Sequence, residues 1–84
     1  MARICVIDDK EMMRESVAAT LIREDHVVDT YKDPVEGLAR IKKERFDLVV
    51  TDLKMPRMDG LALIQQIRAS GEDIPIIIMT AYAS

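Results

Sequence analysis

Eighty-four residues, 49% of them hydrophobic, give one domain whose core is of marginal size, with no room for a second. A formal charge of −3 and a pI near 5.0, with 12 Lys and Arg scattered along the chain, exclude the clustered positive surface that nucleic-acid binding needs. A single cysteine rules out an internal disulfide, and the start "MARICVIDD" is too short for a signal peptide or membrane span, so a cytoplasmic protein is expected.

Residues 4–7, "ICVI", are apolar without alternation, as in a strand covered on both faces within a parallel sheet. Cys5 lies inside this run and reads as core packing. From 11 to 23, Met12, Met13, Val17, Ala18, Leu21 and Ile22 recur at helical spacing, predicting an amphipathic helix with these residues inward. His26 has no second nitrogen or sulfur ligand near it in sequence and is expected at a strand start or on the surface. Residues 27–31 mix β-prone and polar side chains, suggesting a short strand nearer the sheet edge. Asp33-Pro34 supplies a cap followed by proline, with Glu36 at capping-box spacing, and predicts a second helix holding Val35, Leu38, Ala39 and Ile41 inside. A third strand covers 46–51. Gly60 opens a third helix with Leu61, Leu63, Ile64 and Ile67 toward one side, ended by "SGED". Residues 74–79, "IPIIIM", make a fourth strand. Strands alternating with helices, joined by right-handed crossovers, give βαβαβαβ: an α/β fold with a doubly wound parallel sheet and helices on both faces.

In such sheets ligands bind outside the carboxyl ends of the strands, where strand order reverses. This reading gathers Asp8 and Asp9 after the first strand, Asp52 after the third and Thr80 after the fourth. Carboxylates crowded together either protonate one of their number or recruit a cation. An all-oxygen set suits Mg²⁺, which uses one or two carboxylates, keeps some waters and accepts phosphate oxygens. The stretch "VVTDLKMPRMDG" then acquires a purpose: Asp52 stands at a strand end to attack a phosphorus beside a metal. The competing account makes Asp8 or Asp9 the cap of the helix beginning near Glu11 and Thr80 a plain β-branched strand end.

The "DD" after the first strand, "TDLKMPRMDG" after the third and "IPIIIMTA" at the fourth together resemble the receiver domain of bacterial two-component response regulators, across the whole chain. The resemblance implies a flavodoxin-like sheet of order 2-1-3-4 and a signalling phosphoacceptor, not an enzyme, that takes a phosphoryl group from a sensor histidine kinase onto Asp52. It implies that Asp8 and Asp9 hold Mg²⁺, one directly and one through water, with Asp52 and the backbone carbonyl of Lys54 completing the protein ligands. Thr80 would hydrogen-bond the phosphoryl oxygens and shift with them, and small Ala81 would leave the phosphate room to enter. Pro56 and Gly60 would shape the loop and the start of the third helix, and Tyr82 would line the entrance, against the equal alternative of a plain loop tyrosine. The "TAYAS" ending is similar to receivers of nitrogen-regulation-type transcription activators.

Receivers of this kind have five strands and five helices, with a lysine after the fifth strand that contacts the phosphoryl group. Here Lys10, Lys32, Lys42, Lys43 and Lys54 all precede the fourth strand. The resemblance therefore implies that residues 1–84 form the N-terminal portion of a receiver, its fifth strand and last two helices absent. The fourth strand becomes an apolar edge, expected to self-associate through residues 74–80, exchange elements between chains or recruit another polypeptide. Two rival functions stand beside this one. Mg²⁺-dependent phosphohydrolases that form an aspartyl phosphate carry an acid two residues after the nucleophile, where this chain has Lys54. A phosphorylation-incompetent fragment or assembly module is the reading that the missing lysine favours.

Overall fold

In the computed structural model, whose described residues are 1–79, the elements run β1(Arg3–Ile7), α1(Glu11–Arg23), β2(Val27–Tyr31), α2(Pro34–Lys43), β3(Leu48–Asp52), α3(Gly60–Ala69) and β4(Ile76–Met79). All strand pairs are parallel and the sheet order is β2-β1-β3-β4. The expected α/β fold and strand order are both present. The apolar run of β1 explains its central place: Ile4, Cys5, Val6 and Ile7 are at most 2% exposed, because neighbours cover both faces of the sheet. Burial pushes the Cys5 thiol up to about 12, so it behaves as a small core side chain. Among the described residues no helix is long and apolar enough to cross a membrane.

The core lies in two layers. On one face Cys5, Ile7 and Val49 pack with Leu38 and Ile41 of α2, Leu63 and Ile67 of α3, and Phe46 and Ile74 from the connections. On the other, Ile4, Val6 and Val50 meet Val17 and Leu21 of α1, with no α2 or α3 residue in the cluster.

That asymmetry corrects the first-helix expectation. Ala18 is buried in α1, and Val17 and Leu21 are partly so, but Met12, Met13 and Ile22 are 85%, 38% and 55% exposed. One stripe of the helix meets the sheet, and apolar residues flanking that stripe face water. In α2 the inner face carries Pro34, Gly37, Leu38 and Ile41, whereas Val35 and Ala39 point outward. In α3 Leu63 and Ile67 are buried, Ile64 is half-buried and Leu61 is 58% exposed.

The caps follow the sequence signals in part. Asp33 accepts a hydrogen bond from the Val35 amide at 3.0 Å with Pro34 behind it, and Asp59 accepts from Ala62 at 2.8 Å at the start of α3. The N-cap of α1 is Lys10, without a side-chain cap bond, so neither Asp8 nor Asp9 holds that position. His26 is half-buried just before β2, its Nδ1 accepting from the Ala2 amide at 3.0 Å, a structural role as expected.

Gly37 stands on the inner face because β1 leaves no space for a side chain there. A Cβ would lie 2.4 Å from Ile7 Cδ1 and 2.8 Å from Ile7 Cγ1, and Ile7 is fully buried. Replacing Gly37 with alanine gains roughly 0.5–1 kcal/mol of helix preference but overpacks the core at a cost of about 1–3 kcal/mol. Gly37→Ala is therefore expected to lower stability by about 1–2 kcal/mol, read as an earlier midpoint in urea unfolding; an unchanged or later midpoint would contradict this packing.

Candidate functional site

Parallel register brings the site together. β1 and β3 run side by side with Ile7 opposite Thr51, so the residues that follow, Asp8 and Asp52, emerge as neighbours at the carboxyl end of the sheet. Asp52 is the last residue of β3 and lies opposite Met79 of β4. Asp8 is fully buried, Asp52 is 7% exposed and Asp9 lies at the surface. One carboxylate oxygen from each of the three lies within 4.8 Å of the others. Thr80, Ala81 and Tyr82 lie outside the described residues.

The backbone around each acid is held closely. Asp8 donates its amide to the Tyr31 carbonyl at 3.0 Å, its own carbonyl accepts from Arg14 Nη1 at 2.9 Å, and its Oδ1 accepts from the Lys10 amide at 3.0 Å. The turn into α1 is thus wrapped around a buried carboxylate. Asp52 Oδ1 accepts from the Leu53 amide at 2.8 Å, which orients the carboxylate, and Oδ2 meets the Lys10 ammonium. The loop then doubles back: the Gly60 amide donates to the Leu53 carbonyl at 2.7 Å. A Cβ at Gly60 would sit 2.6 Å from the Asp52 carbonyl oxygen and 3.0 Å from Leu53 Cα. Gly60 is required by this close approach of backbone to backbone. Arg57 adopts a left-handed φ of 73°, and its Nη1 meets Asp33 Oδ2 at 3.0 Å, tying the loop to the start of α2.

The electrostatics of Asp8 test whether a cation fits. Among the described residues its buried Oδ2 has no hydrogen-bond partner. Burial raises the Asp8 pKa most; the bond from the Lys10 amide lowers it less, and the Asp52 charge raises it further. A bare buried carboxylate oxygen costs about 1–3 kcal/mol, and a hard cation is the partner that would satisfy it. The donor set is all oxygen, three carboxylates with the Lys54 carbonyl near Asp52, and it suits Mg²⁺ over softer metals.

Lys10 is the residue that sequence reasoning passed over. Its Nζ lies 2.5 Å from Asp52 Oδ2, 3.6 Å from Asp9 Oδ1 and 3.5 Å from the Lys54 carbonyl oxygen. The bond to Asp52 raises the Lys10 pKa most, desolvation opposes it, and the charges of Asp52, Asp9 and Asp8 add to the rise. A signal was available in "DDK". Lysine is a poor N-cap, and the positive end of the helix dipole disfavours a cation there unless anions hold it.

Residues 4–84 match a family model described as "Response regulator receiver domain". "Response regulator MprA" of Mycobacterium ulcerans (strain Agy99) is 42% identical over 79 residues, which cover 94% of this chain and 34% of that protein. The chain thus spans about a third of the length of the curated relatives it matches. Among solved structures, the response regulator protein TrrA of Thermotoga maritima in complex with Mg²⁺-BeF is 36% identical with a TM-score of 0.92, covering 99% of this chain and 72% of that one. A second structure, of histidine kinase ThkA in complex with TrrA, matches at 36% identity and a TM-score of 0.91, covering 100% of this chain and 72% of that one.

The bare Asp8 oxygen yields a stability expectation. Asp8→Asn keeps an acceptor for the Lys10 amide and removes the buried charge, so in Mg²⁺-free buffer it should gain about 1 kcal/mol, a rise in Tm of roughly 4–8 °C. A carboxyl whose folded-state pKa is raised costs stability above that pKa and is relieved as pH falls through it. The advantage of the variant therefore shrinks on acidification, and an unchanged or lower Tm at neutral pH would refute the account of Asp8.

Proposed function

This chain belongs to the response regulator receiver domain family, and from that premise we propose that it accepts a phosphoryl group on Asp52 from a sensor histidine kinase, with Mg²⁺ held by Asp8, Asp9, Asp52 and the backbone carbonyl of Lys54. The observation that carries the reading is the gathering of three carboxylates within 4.8 Å of one another, one of them, Asp8, with a buried Oδ2 that has no hydrogen-bond partner among the described residues. Receiver domains generally bind Mg²⁺ at an acidic pocket, and the similar protein TrrA has been solved both with Mg²⁺-BeF and with a histidine kinase. The narrower likeness to nitrogen-regulation-type activators stays an expectation.

Both Asp52 oxygens carry a hydrogen bond, Oδ1 from the Leu53 amide and Oδ2 from the Lys10 ammonium; in this reading one carboxylate oxygen faces the metal and the other attacks. The new bond joins an Asp52 carboxylate oxygen to phosphorus as the bond from phosphorus to the kinase's histidine nitrogen breaks, and the electron pair of that bond leaves with the imidazole. Mg²⁺, when bound, supplies the positive charge that lets a phosphoryl group approach carboxylates. The protein's share is positioning. Asp8 anchors the pocket from a buried place, and Gly60 keeps the loop after Asp52 pressed onto its backbone. Thr80 donates its hydroxyl to the phosphoryl oxygens, and Ala81 keeps space open beside them. Lys54 stands two residues after Asp52, where an aspartyl-phosphate hydrolase would place an acid; that favours a phosphoacceptor over a phosphohydrolase.

We also propose that two copies associate through the outer edge of β4. Its outer edge has no partner strand among the described residues, and Ile77 is 51% exposed, an apolar edge of the kind that pairs.

Incubating the chain with Mg²⁺ and a small phosphodonor and reading intact mass tests the main reading. One phosphoryl group is expected on the wild type and none on Asp52→Asn. Steady release of free phosphate would support the hydrolase, and no modification of the wild type would support the incompetent fragment. Sedimentation velocity tests the edge pairing. Concentration-dependent dimers that Ile77→Lys returns to monomers are expected, and a monomer at every concentration would refute it.

A further inference from the structure

Lys10 meets the same oxygens that the proposed function gives to the metal. Its ammonium touches or approaches Asp52 Oδ2, Asp9 Oδ1 and the Lys54 carbonyl. Among the described residues Asp8 Oδ2 is buried with no hydrogen-bond partner. Three carboxylates crowd the pocket, and one ammonium neutralises only part of their charge. A divalent ion drawing on the same oxygens cannot share them with a cation 2.5 Å from Asp52 Oδ2, because both the space and the charge conflict.

We propose that Lys10 is a tethered counter-cation that competes with Mg²⁺ for Asp52, Asp9 and the Lys54 carbonyl, so that metal binding is an exchange in which its ammonium swings out, and Lys10 sets the Mg²⁺ level at which Asp52 can accept a phosphoryl group. The inference rests on the metal site proposed above.

Geometry favours such an exchange. The Lys10 side chain is 45% exposed while the Asp52 side chain is 10% exposed, so the lysine can leave toward water without disturbing the core. Its four-carbon stem is flexible, and its compact ammonium is strongly hydrated once outside. It is also attached at the N-terminus of α1, whose dipole repels a cation as soon as the anions cease to hold it. While docked, the ammonium screens Asp52 from Asp9, so the fold tolerates the acid cluster without metal. Lys10 is thus a positioning residue. It controls access to the reacting carboxylate and takes no part in bond making.

Calorimetric titration with Mg²⁺, together with thermal unfolding with and without it, tests the exchange on the wild type, Lys10→Met and Lys10→Arg. Methionine keeps the stem and loses the charge, and arginine keeps a cation. Lys10→Met is expected to bind Mg²⁺ roughly tenfold more tightly, the order of one charge-assisted hydrogen bond in a partly exposed pair, and Lys10→Arg to stay nearer the wild type. Without Mg²⁺, Lys10→Met should melt earlier than the wild type, and saturating Mg²⁺ should close the gap. A lysine with a purely structural role would leave affinity unchanged and the gap open, and that result overturns the inference while the metal site stands. Failure of both the wild type and Lys10→Met to bind Mg²⁺ overturns the metal site, and the role of Lys10 with it.

Discussion

The structure turns on one constraint: adjacent parallel strands in register must end side by side. Once Ile7 lies opposite Thr51, the acids that follow these strands cannot avoid each other, whatever their mutual repulsion. Burial of the β1 run supplies the free energy that enforces this, since apolar surface removed from water contributes about 25 cal/mol per Å². The sheet is therefore a device for holding like charges together, and the pocket's appetite for cations is the consequence.

The two ends of the sheet handle charge in opposite ways. At the amino end, Arg3 bridges Asp29 and Glu44 at 2.8 and 2.6 Å, with its guanidinium 4.6 Å above the Phe46 ring. Its amide meets Asp47 at 2.8 Å. Each of these acids has a hydrogen-bond partner there, and Glu44 is held below the usual carboxylate range, first by its hydrogen bond from Arg3. At the carboxyl end three acids gather beside Lys10, and among the described residues the buried Asp8 Oδ2 has no hydrogen-bond partner. Local electrostatic frustration of this kind concentrates at working sites, while structural ends are satisfied.

Much of the architecture was legible because its signals are local. The unbroken "ICVI" run, the Asp33-Pro34 cap and the switch from strand to helical spacing each depend on a few adjacent residues. The acids were legible because topology alone places strand ends together. What escaped depends on partners far along the chain. Periodicity cannot tell that Met12 and Ile22 flank the stripe that meets the sheet, or that Val35 and Ala39 of α2 turn outward. Gly37 carries no hydrophobic signal, yet Ile7 demands it. Lys10 reaches a carboxylate 42 positions away, and nothing but the oddity of a lysine N-cap announces it.

The halves of the pocket are fastened unequally. Asp52 ends a strand paired on both sides, by β1 and by β4. Asp8 and Asp9 lead into α1, a helix with a single buried residue. Thermal breathing will therefore loosen Asp9 and the start of α1 before it disturbs Asp8, which follows β1 and is fully buried, or Asp52, since segments with little buried surface open first. Asp52 stands on rigid ground, while a cation drawn to the pocket would come and go through a doorway that is softer by construction.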